Sequence, residues 1–197
     1  MVILTLEEDK KEILRYCGYR RGVELTDLTD ELIAKGIEDT NACAKIRSFW
    51  RLFDIKEVIE GVLLEGTDVV LRGEAIKRHL RGDKQAVLMC ITIGADFDRE
   101  VKKVMLSDAA RGMILNSCGV TLVEKACDAL QKEIDRALTG GHTGLRFSPG
   151  YADLPLEQQT DFVKLLDMPK TAGIRLNSSF LMNPEKSVTA VAGVKEG

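Results

Sequence analysis

The period of the hydrophobic positions changes several times along the chain, and each change marks an element. Residues 6 to 16 set Leu6, Ile13 and Leu14 among the charges of "EEDKKE", the pattern of an amphipathic helix. Gly18 and Gly22 break that pattern. Thr26 to Lys35 predicts a second helix, with Leu28, Leu32 and Ile33 on one face and Gly36 as its stop. "RSFWRLFDI", "EVIEGVLLEG" and "DVVLRG" read as extended segments, the last by its β-branched content. "EAIKRHLRG" reads as a short helix ended by Gly82. The run "AVLMCITIG", residues 86–94, is apolar throughout, as a strand covered on both faces must be. "DFDREVKKVML" returns to helical spacing.

From Gly119 the pattern is the clearest in the chain. Val123, Cys127, Leu130, Ile134 and Leu138 recur at three- and four-residue steps, so one long helix is expected to run to the "TGG" stop at 139–141. After an irregular stretch, "LEQQTDFVKLLD" predicts a helix that begins behind Pro155. "IRLNSSFLM" and "SVTAVAGV" alternate with period two around the turn "NPEK" and predict a C-terminal hairpin. Helices and strands mix without a βα repeat, which favours an α+β fold over a doubly wound sheet. No repeat, low-complexity stretch or Pro/Gly/Ser-rich linker divides the chain, so residues 1–197 read as one domain whose N-terminal part, about 1–50, is helical.

Composition narrows the function classes. The chain is 45% apolar and 30% charged with a formal charge of −3, the make-up of an ordinary soluble protein. Its 28 Lys and Arg are balanced by 31 acids along the whole length, which argues against nucleic acid as a partner. No apolar run approaches the roughly 18 residues of a membrane span. The opening "MVILTLEEDKK" lacks the basic region of a signal peptide, and the expected location is the cytoplasm. Cys17, Cys43, Cys90, Cys118 and Cys127 are widely spaced with no Cys-x-x-Cys pair, and only His79 and His142 exist to complete a zinc set. Reduced thiols in apolar surroundings are the expected state. Phosphate-loop, dinucleotide-binding and nucleophile-elbow motifs are all missing. Neither histidine has a neighbour that makes it a general base.

What remains is "LRFSPGYADLP", residues 145–155. Arg146 carries a planar fork that fits a carboxylate or phosphate. Pro149 fixes its own φ and holds Ser148 extended. Gly150 permits a positive φ or a close backbone approach. Tyr151 offers a ring and a hydroxyl. The same residues also make a plain Pro-Gly turn, with Arg146 in a surface ion pair and Tyr151 half buried.

"RFSPGY" resembles the Arg-x-x-x-Gly-Tyr motif of the activation domain of cobalamin-dependent methionine synthase. The likeness extends through "LRFSPGYADLPLEQQTDFVKLLD" and "GIRLNSSFLMNPEKSVTAVAGV", and upstream "NSCGVTLVEKACDAL" resembles the family's passage from a small-residue turn into its long helix. The match is specific over about residues 116–194. The resemblance implies a twisted antiparallel sheet flanked by helices. It also implies a function: S-adenosylmethionine binding for the reductive methylation of cob(II)alamin, with an electron from a flavodoxin-like or ferredoxin-like donor. By the same resemblance, Arg146 grips the ligand's carboxylate, the backbone at Ser148 bonds its polar end, and Gly150 permits that contact. Tyr151 closes the pocket, and Glu124 pairs with the ammonium or the sulfonium. Two family acids, one shortly before the arginine where this chain reads "GGHTG" and one near the N-terminus, have no counterpart. The Asp-x-His-x-x-Gly motif that supplies cobalt's lower ligand is absent, and neither His79 nor His142 fits it. The cobalamin is therefore expected on another polypeptide, a methionine synthase or another corrinoid protein served in trans. The remaining alternatives are a docking module for a corrinoid methyltransferase that no longer binds S-adenosylmethionine, and an unrelated methyltransferase, which would ordinarily need a nucleotide-binding sheet.

Overall fold

The apolar run read from the sequence is a central strand of a six-stranded antiparallel sheet. In the computed structural model, which describes residues 2–19 and 27–196, the strands are β1 (Arg47–Val58), β2 (Gly61–Leu64), β3 (Val70–Arg72), β4 (Gln85–Thr92), β5 (Gly141–Thr143) and, last in the chain, β8 (Ser187–Glu196). Their order is β3-β2-β1-β4-β8-β5. A separate pair, β6 (Arg175–Leu176) and β7 (Met182–Asn183), lies before β8. Gly22 and Thr26 fall outside the described residues.

β4 has to be apolar on both faces because each face carries its own core. Val87, Met89 and Ile91 point to one side with Ala190 and Ala192 of β8. Four helices cover that side: α1 (Leu6–Tyr16), α2 (Asp27–Cys43), α4 (Ala95–Ser107) and α5 (Ala109–Ala137). Ala86, Leu88 and Cys90 point to the other side, onto residues of α3 (Glu74–His79), α6 (Gln159–Leu166) and α7 (Met168–Thr171), with Phe162 and Leu166 fully buried. The arrangement is the α+β sheet with flanking helices that the sequence predicts.

Three expectations are corrected. Gly36 does not stop the second helix: α2 runs on to Cys43, and Gly36 is buried where α2 crosses α5. A Cβ there would sit 3.1 Å from both Cys118 Sγ and Ile114 Cγ2, so the glycine marks a close helix crossing. The long helix starts at Ala109, where Asp108 accepts a hydrogen bond from the Arg111 amide as N-cap, and "NSCG" is helix interior rather than a turn. The C-terminal hairpin does not form: Arg175 and Leu176 pair with Asn183 and Met182, while β8 lies between β4 and β5.

The five cysteines are free. Burial pushes the thiols of Cys118 and Cys127 up to about 12 and that of Cys90 up to about 11, so none of the three supplies a thiolate at neutral pH. Among the described residues no group of three or more His, Cys, Asp or Glu is placed to hold a metal ion, and no helix is long and apolar enough to cross a membrane.

Candidate functional site

The site forms where the chain leaves α5 and runs back along the sheet edge. β5 pairs with β8 from Gly141 opposite Glu196 to Thr143 opposite Val194. Beyond it the Gly144 amide donates to Gly193 O at 2.8 Å, and Phe147 exchanges both backbone bonds with Val191 at 2.9 and 2.8 Å. The segment is thus nearly extended, and neighbouring side chains leave it in opposite directions. Phe147 joins the core on the α6 side, its ring 4.9 Å from that of His79, whose Nε2 donates to Leu145 O at 2.9 Å. Arg146 reaches the other way, to α5.

There it meets a polar stripe at successive turns of the helix. Arg146 Nη2 donates to Glu124 Oε2 at 3.0 Å; Nη1 donates to Asp128 Oδ1 and to Gln131 Oε1, each at 2.7 Å. The Gln131 amide donates to Thr143 Oγ1 at 3.1 Å and Gly144 O at 3.0 Å. Asp135 accepts from the Thr143 amide at 2.7 Å and from its hydroxyl at 2.8 Å. Four side chains of α5 therefore tie residues 143–146 to the helix, and both terminal nitrogens of the guanidinium are engaged. Burial works against the Arg146 charge, but the hydrogen bond to Asp128 and the neighbouring acids more than restore it, leaving its pKa above the ordinary value. Beside this network lies an open cleft of about 610 Å³ lined by Asp128, Gln131, Thr143, Gly144, Leu145 and Arg146.

The proline-glycine corner comes next in the chain. Tyr151 N donates to Ser148 O at 3.1 Å, and Gly150 sits at φ +88°, the conformation that the third position of a type II turn demands. Ser148 and Pro149 line a different hollow, of about 280 Å³, together with Leu156, Gln159, Phe180 and Thr189. Tyr151 packs edge-on against Phe147, with ring centroids 5.9 Å apart, and is 71% exposed. The structure thus brings Glu124 and Arg146 into contact. It sets Ser148 beside a second hollow and turns Tyr151 outward on Phe147, more exposed than the plain-turn alternative expects.

Sequence reasoning missed Asp128, Gln131 and Asp135. Their signal is nonetheless periodic: with Glu124 they stand at steps of four, three and four residues, one face of a helix. It also missed Asp153, which anchors the far end of the corner. Its carboxylate accepts the amides of Glu74 at 2.8 Å and Ala75 at 3.0 Å, capping α3. Gly73 must be glycine for this approach, because a Cβ there would lie 2.7 Å from Asp153 Oδ1 and its φ is +122°. The amides of Ala75 and Glu74 hold the Asp153 carboxyl below its ordinary pKa. In acid the unfolded chain takes up this proton first, so the cap stabilises the fold at neutral pH and is lost as the pH falls through the carboxylate range. Urea midpoints for wild type and Asp153→Asn are expected to differ most at pH 7 and to converge toward pH 3. A gap that does not narrow as the pH falls through the carboxylate range would show that the charge is not the source.

A family model described as the activation domain of vitamin B12 dependent methionine synthase matches residues 88–196, more than half of the chain. A crystal structure described as the MetH reactivation domain bound to AdoHcy superposes with a TM-score of 0.62, covering 89% of this chain and 69% of that one at 16% identity. At that identity the likeness is one of fold. No curated protein matches the chain.

Proposed function

The chain belongs to the family of vitamin B12-dependent methionine synthase activation domains, and from that premise we propose that it binds S-adenosylmethionine and presents its methyl group for the reactivation of cobalamin. The cobalamin is carried outside these residues by a corrinoid protein, methionine synthase or a relative, and the electron comes from a flavodoxin-like or ferredoxin-like donor. Sulfonium and cobalt supply the reacting atoms; this chain supplies position.

The observation that carries the reading is the guanidinium of Arg146 beside an open cleft, with two carboxylates around it. An amino-acid tail holds one carboxylate and one ammonium on a single carbon, and this arrangement offers a partner of opposite sign to each. Arg146 receives the carboxylate as a fork, and the acids that hold it in the free protein, Glu124 and Asp128, provide the opposite charge for the ammonium. The family resemblance assigns the backbone at Ser148 and Gly150 to the polar end of the ligand and Tyr151 to its cover. Here Ser148 lines the second hollow and Tyr151 packs on Phe147, so Arg146 and not the corner carries the proposal. The AdoHcy held by the structural neighbour supports a ligand of this shape.

A second reading keeps the fold as a docking module that binds no S-adenosylmethionine. The engagement of both terminal nitrogens of Arg146 by Glu124, Asp128 and Gln131 favours it. Calorimetric titration of the intact chain with S-adenosylmethionine separates the two. Saturable heat with one site per chain is expected; none at millimolar ligand leaves only the docking module.

A further inference from the structure

Arg146 is met by more acid than one guanidinium can neutralise, and the two carboxylates are not equivalent. Asp128 has the more exposed side chain, 64% against 45% for Glu124. It is also the acid that lines the cleft alongside Arg146, whereas Glu124 does not. A carboxylate entering the cleft therefore meets the Arg146–Asp128 pair. To take the guanidinium as a fork it must displace Asp128 from Nη1, now held at 2.7 Å.

Displacement alone would leave two carboxylates side by side, a repulsive outcome. An α-amino acid avoids it, because its ammonium is one carbon away from its carboxylate and falls next to the group just released. Resting on the proposed binding of S-adenosylmethionine, we propose that Asp128 exchanges Arg146 for the ligand's α-ammonium and so selects ligands with an intact α-amino acid tail. Before and after the exchange every charge has a partner. A ligand without the ammonium leaves Asp128 facing a like charge. Gln131, being neutral, contributes a contact to Arg146 in the free protein without discriminating between the two kinds of ligand.

The test titrates wild type and Asp128→Asn with S-adenosylmethionine and with its analogue lacking the α-amino group. The substitution is expected to weaken S-adenosylmethionine about tenfold, the size of one charge-assisted contact. It is expected to tighten the deaminated analogue several-fold, because the charged competitor for Arg146, which would also repel the incoming carboxylate, has become neutral. The reversal of sign is the signature, since a purely structural role would shift both ligands the same way. Asparagine keeps an oxygen to accept from Arg146, and an unchanged urea midpoint verifies the fold. Equal shifts for the two ligands, or none, overturn the exchange while the wild-type titration still supports S-adenosylmethionine binding. Absence of binding by wild type overturns both.

Discussion

Arg146→Ala is expected to raise the dissociation constant for S-adenosylmethionine by about two orders of magnitude. A carboxylate held by both arms of a guanidinium gains two charge-assisted hydrogen bonds, and losing them in a partly enclosed cleft costs about 3 kcal/mol. The folded protein should suffer much less. Glu124 and Asp128 both keep substantial exposure, so water replaces the lost partner, and half-exposed ion pairs contribute at most about 1 kcal/mol. The measurement is therefore a pair: calorimetric affinity together with the urea midpoint. Arg146→Lys refines it. The lysine keeps the charge and loses the fork, so it should recover part of the affinity while still falling about tenfold short of wild type. If the alanine variant binds as wild type does, Arg146 serves only as the strap between β5 and α5. In that case Thr143, which is tied independently by Asp135, should keep the segment in place.

The elements most legible in the sequence are those whose burial is simple. β4 is apolar from Ala86 to Ile91 because two cores need it, and a continuous run can report that. The stripe from Val123 to Ile134 reports one buried face of α5. Both glycine readings went astray for a shared reason. Propensity treats a glycine between helical residues as an end, whereas Gly36 and Gly119 lie inside helices because a neighbouring helix leaves no room for a side chain. That neighbour is far away in the sequence, and no local pattern announces it. The C-terminal strands failed differently. Period-two alternation identifies a strand but not its partner, and β8 reaches back to a register with Ala86–Thr92 that loop length could not reveal.

The candidate site shows the same division. Pro149 and Gly150 fold locally, so the corner was readable, and the φ of Gly150 agrees with it. Glu124 was singled out through resemblance. Asp128, Gln131 and Asp135 share its face, yet such a stripe reads first as solvated surface. Only the path of residues 143–146 along β8 makes the stripe one wall of a cleft, and that path is a long-range property of the sheet.

Gly119→Ala tests whether the seat of α5 governs this wall. A Cβ at residue 119 would lie 2.2 and 2.3 Å from Cε1 and Cζ of Phe97 on α4, and Phe97 is fully buried, so ring or helix must shift. Overpacking of this kind costs up to about 3 kcal/mol, and the better helix propensity of alanine returns about 1. A net loss of about 2 kcal/mol, seen as a lower urea midpoint with an unchanged slope, is the expected result. Phe97→Leu removes the atoms that collide. The double variant should therefore lose less than the sum of the two single losses, as contacting residues do. Strict additivity would mean that the clash relaxes elsewhere. The consequence for the site comes from the helix itself. Glu124 lies little more than one turn beyond Gly119, so a helix pushed off Phe97 carries the polar stripe with it. Gly119→Ala should then weaken S-adenosylmethionine binding as well as the fold, and Phe97→Leu in the same chain should restore part of the binding.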